Sequence, residues 1–114
     1  MDMEIITALI PKSKLAEIAA QQFGDMVKAV VDIDRGIMAI GGELHADEEA
    51  LLLEDGSKQS NLWGINLYPG GTSEDLIEFN SMINIRPNQN NRSRGVEDEA
   101  IQQKIITIVN SLVE

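Results

Sequence analysis

Apolar and polar residues alternate along this chain with two different periods, and the switches between them mark out the elements. Met3 to Ile10 is apolar enough for a strand, which Pro11 ends. Ser13 then stands where a helix cap is wanted, and Leu15, Ile18, Ala19, Gln22 and Phe23 follow at helical spacing before Gly24. From Val27 the period changes to two. Val27, Ala29, Val31 and Ile33 alternate with Lys28, Asp32 and Asp34; Asp34-Arg35-Gly36 supplies a turn, and Ile37 to Ile40 begins a return strand. Gly41-Gly42 interrupts that strand.

Ala46 to Asp55 predicts a short helix with Asp47, Glu48 and Glu49 in its first turn, where acids favour the positive end of the helix dipole. Asn61 to Tyr68 follows as a strand, with Trp63, Ile65 and Leu67 on one face and Asn66 and Tyr68 on the other. After Pro69-Gly70-Gly71 comes the longest predicted strand. There Ile77, Phe79, Ser81, Ile83 and Ile85 face one way, and Glu78, Asn80, Met82, Asn84 and Arg86 the other. A polar loop from Pro87 to Gly95 leads to the last helix, where Ile101, Ile105, Ile108, Val109 and Leu112 recur at steps of three and four. The order β-α-β-β-α-β-β-α, rich in adjacent hairpins, predicts one α+β domain over residues 1–114. Its sheet is mainly antiparallel, of about five strands, with helices packed on it. The last helix is expected to bury Ile101, Ile105, Ile108 and Leu112 with Val31, Ile65, Ile83 and Ile85.

Composition narrows the function. The 114 residues include no cysteine, which excludes disulfides, cysteine nucleophiles and thiolate metal sites. A net charge of -10 argues against nucleic acid, because phosphate binding needs a field of Lys and Arg. No apolar run is long enough to span a membrane, and Met1-Asp2-Met3-Glu4 lacks the basic flank of a signal peptide, so a cytoplasmic location is expected. Phosphate-binding glycine loops, zinc-protease motifs and nucleophile elbows are absent.

Two segments could carry chemistry. In the first, Glu43 and His45 would share a face if the strand ran through them, with Asp47 or Glu48 joining from the helix entrance. Imidazole with carboxylates suits proton transfer or a divalent metal. In the plainer alternative the acids cap a helix and His45 satisfies a backbone group. The second segment holds Arg86, Arg92 and Arg94, three of nine basic residues within nine positions, two of them just before a helix. Their guanidinium forks suit an anion, or else they pair with Glu97, Asp98 or the Glu43–Glu49 acids. The opposite charges of the two segments predict that they approach each other, with Arg92 or Arg94 on a carboxylate among Glu43, Asp47 and Glu48. Trp63 reads as core. Asn66, Glu78, Asn80, Asn84 and Arg86 form either a solvated sheet face or the floor of a cleft.

Two family comparisons follow from these residues. His45-Ala46-Asp47 after a hairpin, with Pro69 downstream, has a partial likeness to zinc-dependent nucleobase deaminases, which carry His-x-Glu and Pro-Cys-x-x-Cys. Here Gly70 and Ser73 hold the cysteine places, so two of three zinc ligands are missing. The stretches Gly36–Leu52, Leu62–Pro69, Ser81–Pro87 and Asn91–Asp98 together resemble a family of small uncharacterised prokaryotic proteins, from about Phe23 to the C-terminus. That resemblance implies a single-domain bacterial or archaeal protein and brings no activity, substrate or cofactor. The leading expectation is a small binding protein with no cofactor and no metal, open to a homodimer and to a small anionic ligand, with no nucleic acid or membrane partner. The alternative is a hydrolase-like enzyme built on His45, Glu43 and Asp47, with Arg92 or Arg94 holding an anionic substrate. An enzyme of that kind needs His45 and an arginine in one pocket.

Overall fold

The hydrophobic alternation of residues 27–40 and 62–67 builds the centre of a five-stranded sheet in the computed structural model, which describes residues 3–114. Strands β1 (Glu4–Ile6), β2 (Val27–Asp32), β3 (Ile37–Ile40), β4 (Leu62–Leu67) and β5 (Ile77–Glu78) alternate with helices α1 (Lys12–Gln21), α2 (His45–Glu54) and α3 (Glu99–Leu112). Spatially the strands run β1-β3-β2-β4-β5, and every neighbouring pair is antiparallel. The fold is α+β, with the helices packed on the sheet.

Strand alternation sends β2 to two different cores. Val27, Ala29 and Val31 join Trp63, Ile65 and Leu67, and with them Leu15 and Ile18 of α1 and Ile105, Val109 and Leu112 of α3. Val30, one residue out of phase, packs with Ala39, Leu62 and Leu52 of α2 on the opposite face. The β2–β3 turn is held by Asp32, whose Oδ1 accepts the N–H groups of Asp34 and Arg35 at 2.9 and 3.0 Å.

Several boundaries differ from the sequence pattern. β1 covers only Glu4–Ile6, and Ile10 instead makes a parallel bridge to Val113. α1 begins at Lys12 with Pro11 as its cap residue, so Ser13 lies inside the helix; Phe23 is exposed beyond its end. The last helix turns its stripe toward Ile105, Val109 and Leu112, leaving Ile101 and Ile108 half-buried.

The largest correction concerns residues 77–86. β5 stops after two residues, because the chain beyond it is rich in asparagine, a poor strand former that competes for backbone groups. Ser81 caps a single 3₁₀ turn over Met82–Asn84, and the edge of β4 is completed by side chains. Asn84, fully buried, accepts from the Gly64 N–H through Oδ1 at 2.8 Å and donates from Nδ2 to the Gly64 carbonyl at 2.9 Å. Gly64 permits this approach: a Cβ there would lie 2.5 Å from the Ser81 side chain. One step along the edge, Arg86 donates to the carbonyls of Leu62, at 2.6 Å, and Gln59. Consequently Ile83 packs against the α2 side of the sheet, and Ile85 is exposed rather than joining α3.

Candidate functional site

Three adjacent strands place Lys28, Asn66 and Glu78 in one row, since Lys28 pairs with Asn66 and Asn66 with Glu78. The row lies on the α2 face of the sheet, out of phase with the Ala29–Ile65 core. α2 covers only part of that face. Beyond its N-terminal end the row floors an open cleft of about 540 Å³, walled by Leu44 and His45 on one side and by Ser81, Met82, Ile83 and Arg94 on the other. That volume is within the range of small-molecule sites.

His45 opens α2, not the end of β3, so the strand-face pairing with Glu43 does not form. Its Nε2 lies 2.8 Å from the carbonyl oxygen of Ile65. A carbonyl only accepts, so Nε2 carries the proton and Nδ1 keeps its lone pair. Burial, and then the nearby positive charges of Lys28 and Arg94, depress the imidazole pKa, outweighing the opposite pull of the Ile65 carbonyl and Asn66. His45 is therefore neutral at pH 7. Among the described residues neither Lys28 nor Arg94 forms an ion pair; the Lys28 ammonium lies 5.1 Å from the centroid of the Phe23 ring.

Asn66 is 7% exposed. Its Nδ2 donates to Glu78 Oε1 at 2.8 Å and to the Asn80 carbonyl at 3.3 Å, while Oδ1 is buried with no partner among the described residues. The Tyr68 hydroxyl donates to the same Glu78 oxygen at 3.2 Å. Three of the five polar residues first placed on one sheet face, Asn66, Glu78 and Asn80, thus line the cleft. Asn84 and Arg86 are spent on the edge of β4.

The two charged segments approach each other only in part. Arg94 shares the cleft with His45 but makes no ion pair with Glu43, Asp47 or Glu48, because each partner is otherwise placed. Glu43 and Asp47 are exposed and do not line the cleft. Glu48 is buried beneath α2, where its Oε2 accepts the Gly42 N–H at 3.0 Å. Arg86 is buried, its guanidinium 4.3 Å from the centroid of the Trp63 ring, and is unavailable to a ligand. Arg92 is exposed; its backbone N–H and that of Ser93 both donate to Glu97 Oε2 at 2.8 Å. Among the described residues no group of three or more His, Asp or Glu side chains is placed to hold a metal ion. Lys28 and Tyr68 escaped the sequence reading; the signal for Lys28 was a cation in phase with Asn66 across an otherwise apolar pair of strands.

The model of a family described as protein of unknown function, DUF5674, matches residues 4–112. The chain belongs to this family. In DUF5674 terms, the match spans both walls and the floor of the cleft, so the site lies wholly within the family's own domain. No curated protein and no solved structure matches the chain. Among the described residues no helix is long and apolar enough to cross a membrane.

Proposed function

We propose that this DUF5674 protein is a binding module whose cleft takes a small organic acid. The observation that carries this reading is the convergence of Lys28, Arg94 and His45 on the cleft at the N-terminus of α2. Among the described residues neither Lys28 nor Arg94 has a carboxylate partner, and the first backbone N–H groups of a helix favour negative charge. The acid of the ligand sits among these groups, with Arg94 as its fork-shaped donor.

Leu44 and Met82 support an apolar body on that acid, since they stand 56% and 67% exposed at the mouth of the cleft. The hydrolase-like alternative receives His45 and Arg94 in one cleft but not its carboxylates. Glu78, the carboxylate that does line the cleft, is engaged by Asn66 and Tyr68. A cytoplasmic, prokaryotic protein fits this reading, and a homodimer through the Leu44–Met82 rim competes with the ligand for the same surface.

The test is a backbone-amide NMR titration with 4-methylpentanoate, a branched acid with no other polar group. Shifts should concentrate at Lys28, His45, Ala46, Asn66 and Arg94, and Arg94→Ala should abolish them. Light scattering on the same samples reads the dimer. Shifts confined to another face, or a stable dimer that buries Leu44 and Met82 and excludes the acid, would overturn the proposal.

A further inference from the structure

The cations of the cleft account for an anion, but the other half of its floor answers to the opposite chemistry. Asn66 presents a buried acceptor, Oδ1, with no donor among the described residues, in a side chain that lines the cleft. Its orientation is not free to change. Nδ2 is committed to Glu78 Oε1 and the Asn80 carbonyl, and turning the amide over would set oxygen against both acceptors. A buried acceptor left without a donor is costly, so this end of the floor favours positive charge brought close to the carboxamide.

Glu78 adds charge to that demand. Its Oε1 takes both Asn66 and Tyr68, while the other oxygen accepts from no described residue. Lys28, Asn66 and Glu78 occupy one cross-strand row, so a cationic end, a neutral acceptor and an anionic end follow one another across three strands. Neighbouring strands are about 4.8 Å apart, so Lys28 and Glu78 stand two spacings, about 9.6 Å, apart at the backbone, a gap that their own side chains and one small molecule can span together.

We propose that the ligand is a zwitterion of the α-amino-acid type with an apolar side chain. Its carboxylate lies at Arg94, Lys28 and the start of α2; its ammonium group donates to the free oxygen of Glu78, beside the Asn66 carboxamide. The side chain leaves between Leu44 and Met82. This inference rests on the cleft being the binding site and adds the second pole.

The experiment compares L-leucine with 4-methylpentanoate, which is leucine without its amino group, by calorimetry and amide NMR on the wild type and on Glu78→Gln. Glutamine keeps an oxygen for Asn66 and Tyr68, and position 78 is exposed, so the variant should fold. Leucine should bind at least about tenfold more tightly than the acid, the factor expected for a charge-assisted hydrogen bond. Glu78→Gln should remove most of that preference by weakening leucine, while 4-methylpentanoate, relieved of a neighbouring negative charge, binds at least as well as to the wild type. Equal binding of the two compounds overturns the zwitterion and leaves the acid site standing. A preference that survives Glu78→Gln overturns the role of Glu78. Absence of binding by both compounds overturns the site itself.

Discussion

The carboxyl group of Glu48, fully buried, accepts the backbone N–H of Gly42 at 3.0 Å across the gap between α2 and the end of β3. Nothing larger than glycine fits there: a Cβ on residue 42 would stand 2.7 Å from Glu48 Cγ. Burial pushes the Glu48 pKa from 4.5 up to about 9, against the smaller downward pull of the Gly42 N–H and Lys28. Between those two values the folded chain keeps a proton that the unfolded chain has released. Its contribution to stability is therefore full below pH 4.5 and is lost as the pH rises toward 9. Glu48→Gln, whose amide oxygen still accepts from Gly42, should remove this slope. At pH 8 it should gain on the order of a few kcal/mol in urea unfolding, and at pH 5 little. An unchanged slope would mean that Glu48 is ionised in place.

His45 slopes the other way. Its folded pKa lies below the ordinary value of 6.5, so stability is intact above that pH and is lost as the unfolded histidine takes up a proton on acidification. The groups facing it are Lys28 on β2, Asn66 on β4, Tyr68 just beyond the end of β4, Glu78 on β5 and Arg94 before α3, with Glu48 one turn along its own helix. An acid bound beside Lys28 and Arg94 offsets their repulsion and raises the imidazole pKa. Histidine NMR with saturating 4-methylpentanoate should show that upward shift, and the acid should bind more tightly as the pH falls from 7 toward 5.5, roughly the range in which histidine titrates. A pKa indifferent to the acid would place it away from His45.

Asn84→Ala removes the carboxamide that pairs with Gly64 and leaves both backbone groups of residue 64 unsatisfied. The expected cost is about 2–6 kcal/mol, from one to three for each of the two orphaned buried groups. The variant should also lose the acid, because Ser81–Ile83 would no longer be held over the cleft. Thermal unfolding with and without 4-methylpentanoate measures both effects. A variant of wild-type stability would show that water replaces the side chain at no cost.

Ile105→Ala probes the opposite face. Ile105 is fully buried between α3 and the β2–β4 core, and truncation there should cost about 2–5 kcal/mol without changing acid binding. An unchanged unfolding midpoint would mean that α3 is not docked on the sheet.

The central hairpin and α3 were readable because their patterns are local. Alternation in Val27–Asp32 and a three-and-four spacing in Ile101–Leu112 each report a face and a partner. Residues 77–86 alternated just as well, yet most of them are not strand. Periodicity records which side chains are apolar, not whether a neighbouring strand exists to receive the backbone, and here the carboxamide of Asn84 takes that place. The site was half legible for a similar reason. Asn66, Glu78 and Asn80 stood out as polar residues on a strand face, and His45 and Arg94 as isolated chemistry. Lys28 joined them only through register, and Arg86, the best buried of the arginines, went to carbonyls that no motif announces.

The edge of β4 has a further consequence. Leu62, Gly64 and Asn66 turn their outward backbone groups in succession to a guanidinium, a carboxamide and the two-residue β5. A strand edge left open is a template on which foreign chains can polymerise, and this one is sealed by side chains that cannot themselves pass the pattern on. A short, irregular border leaves room for a cleft while denying growth to a fibril. The opposite border, at β1, is then the place from which sheet-to-sheet association of this protein would start on heating.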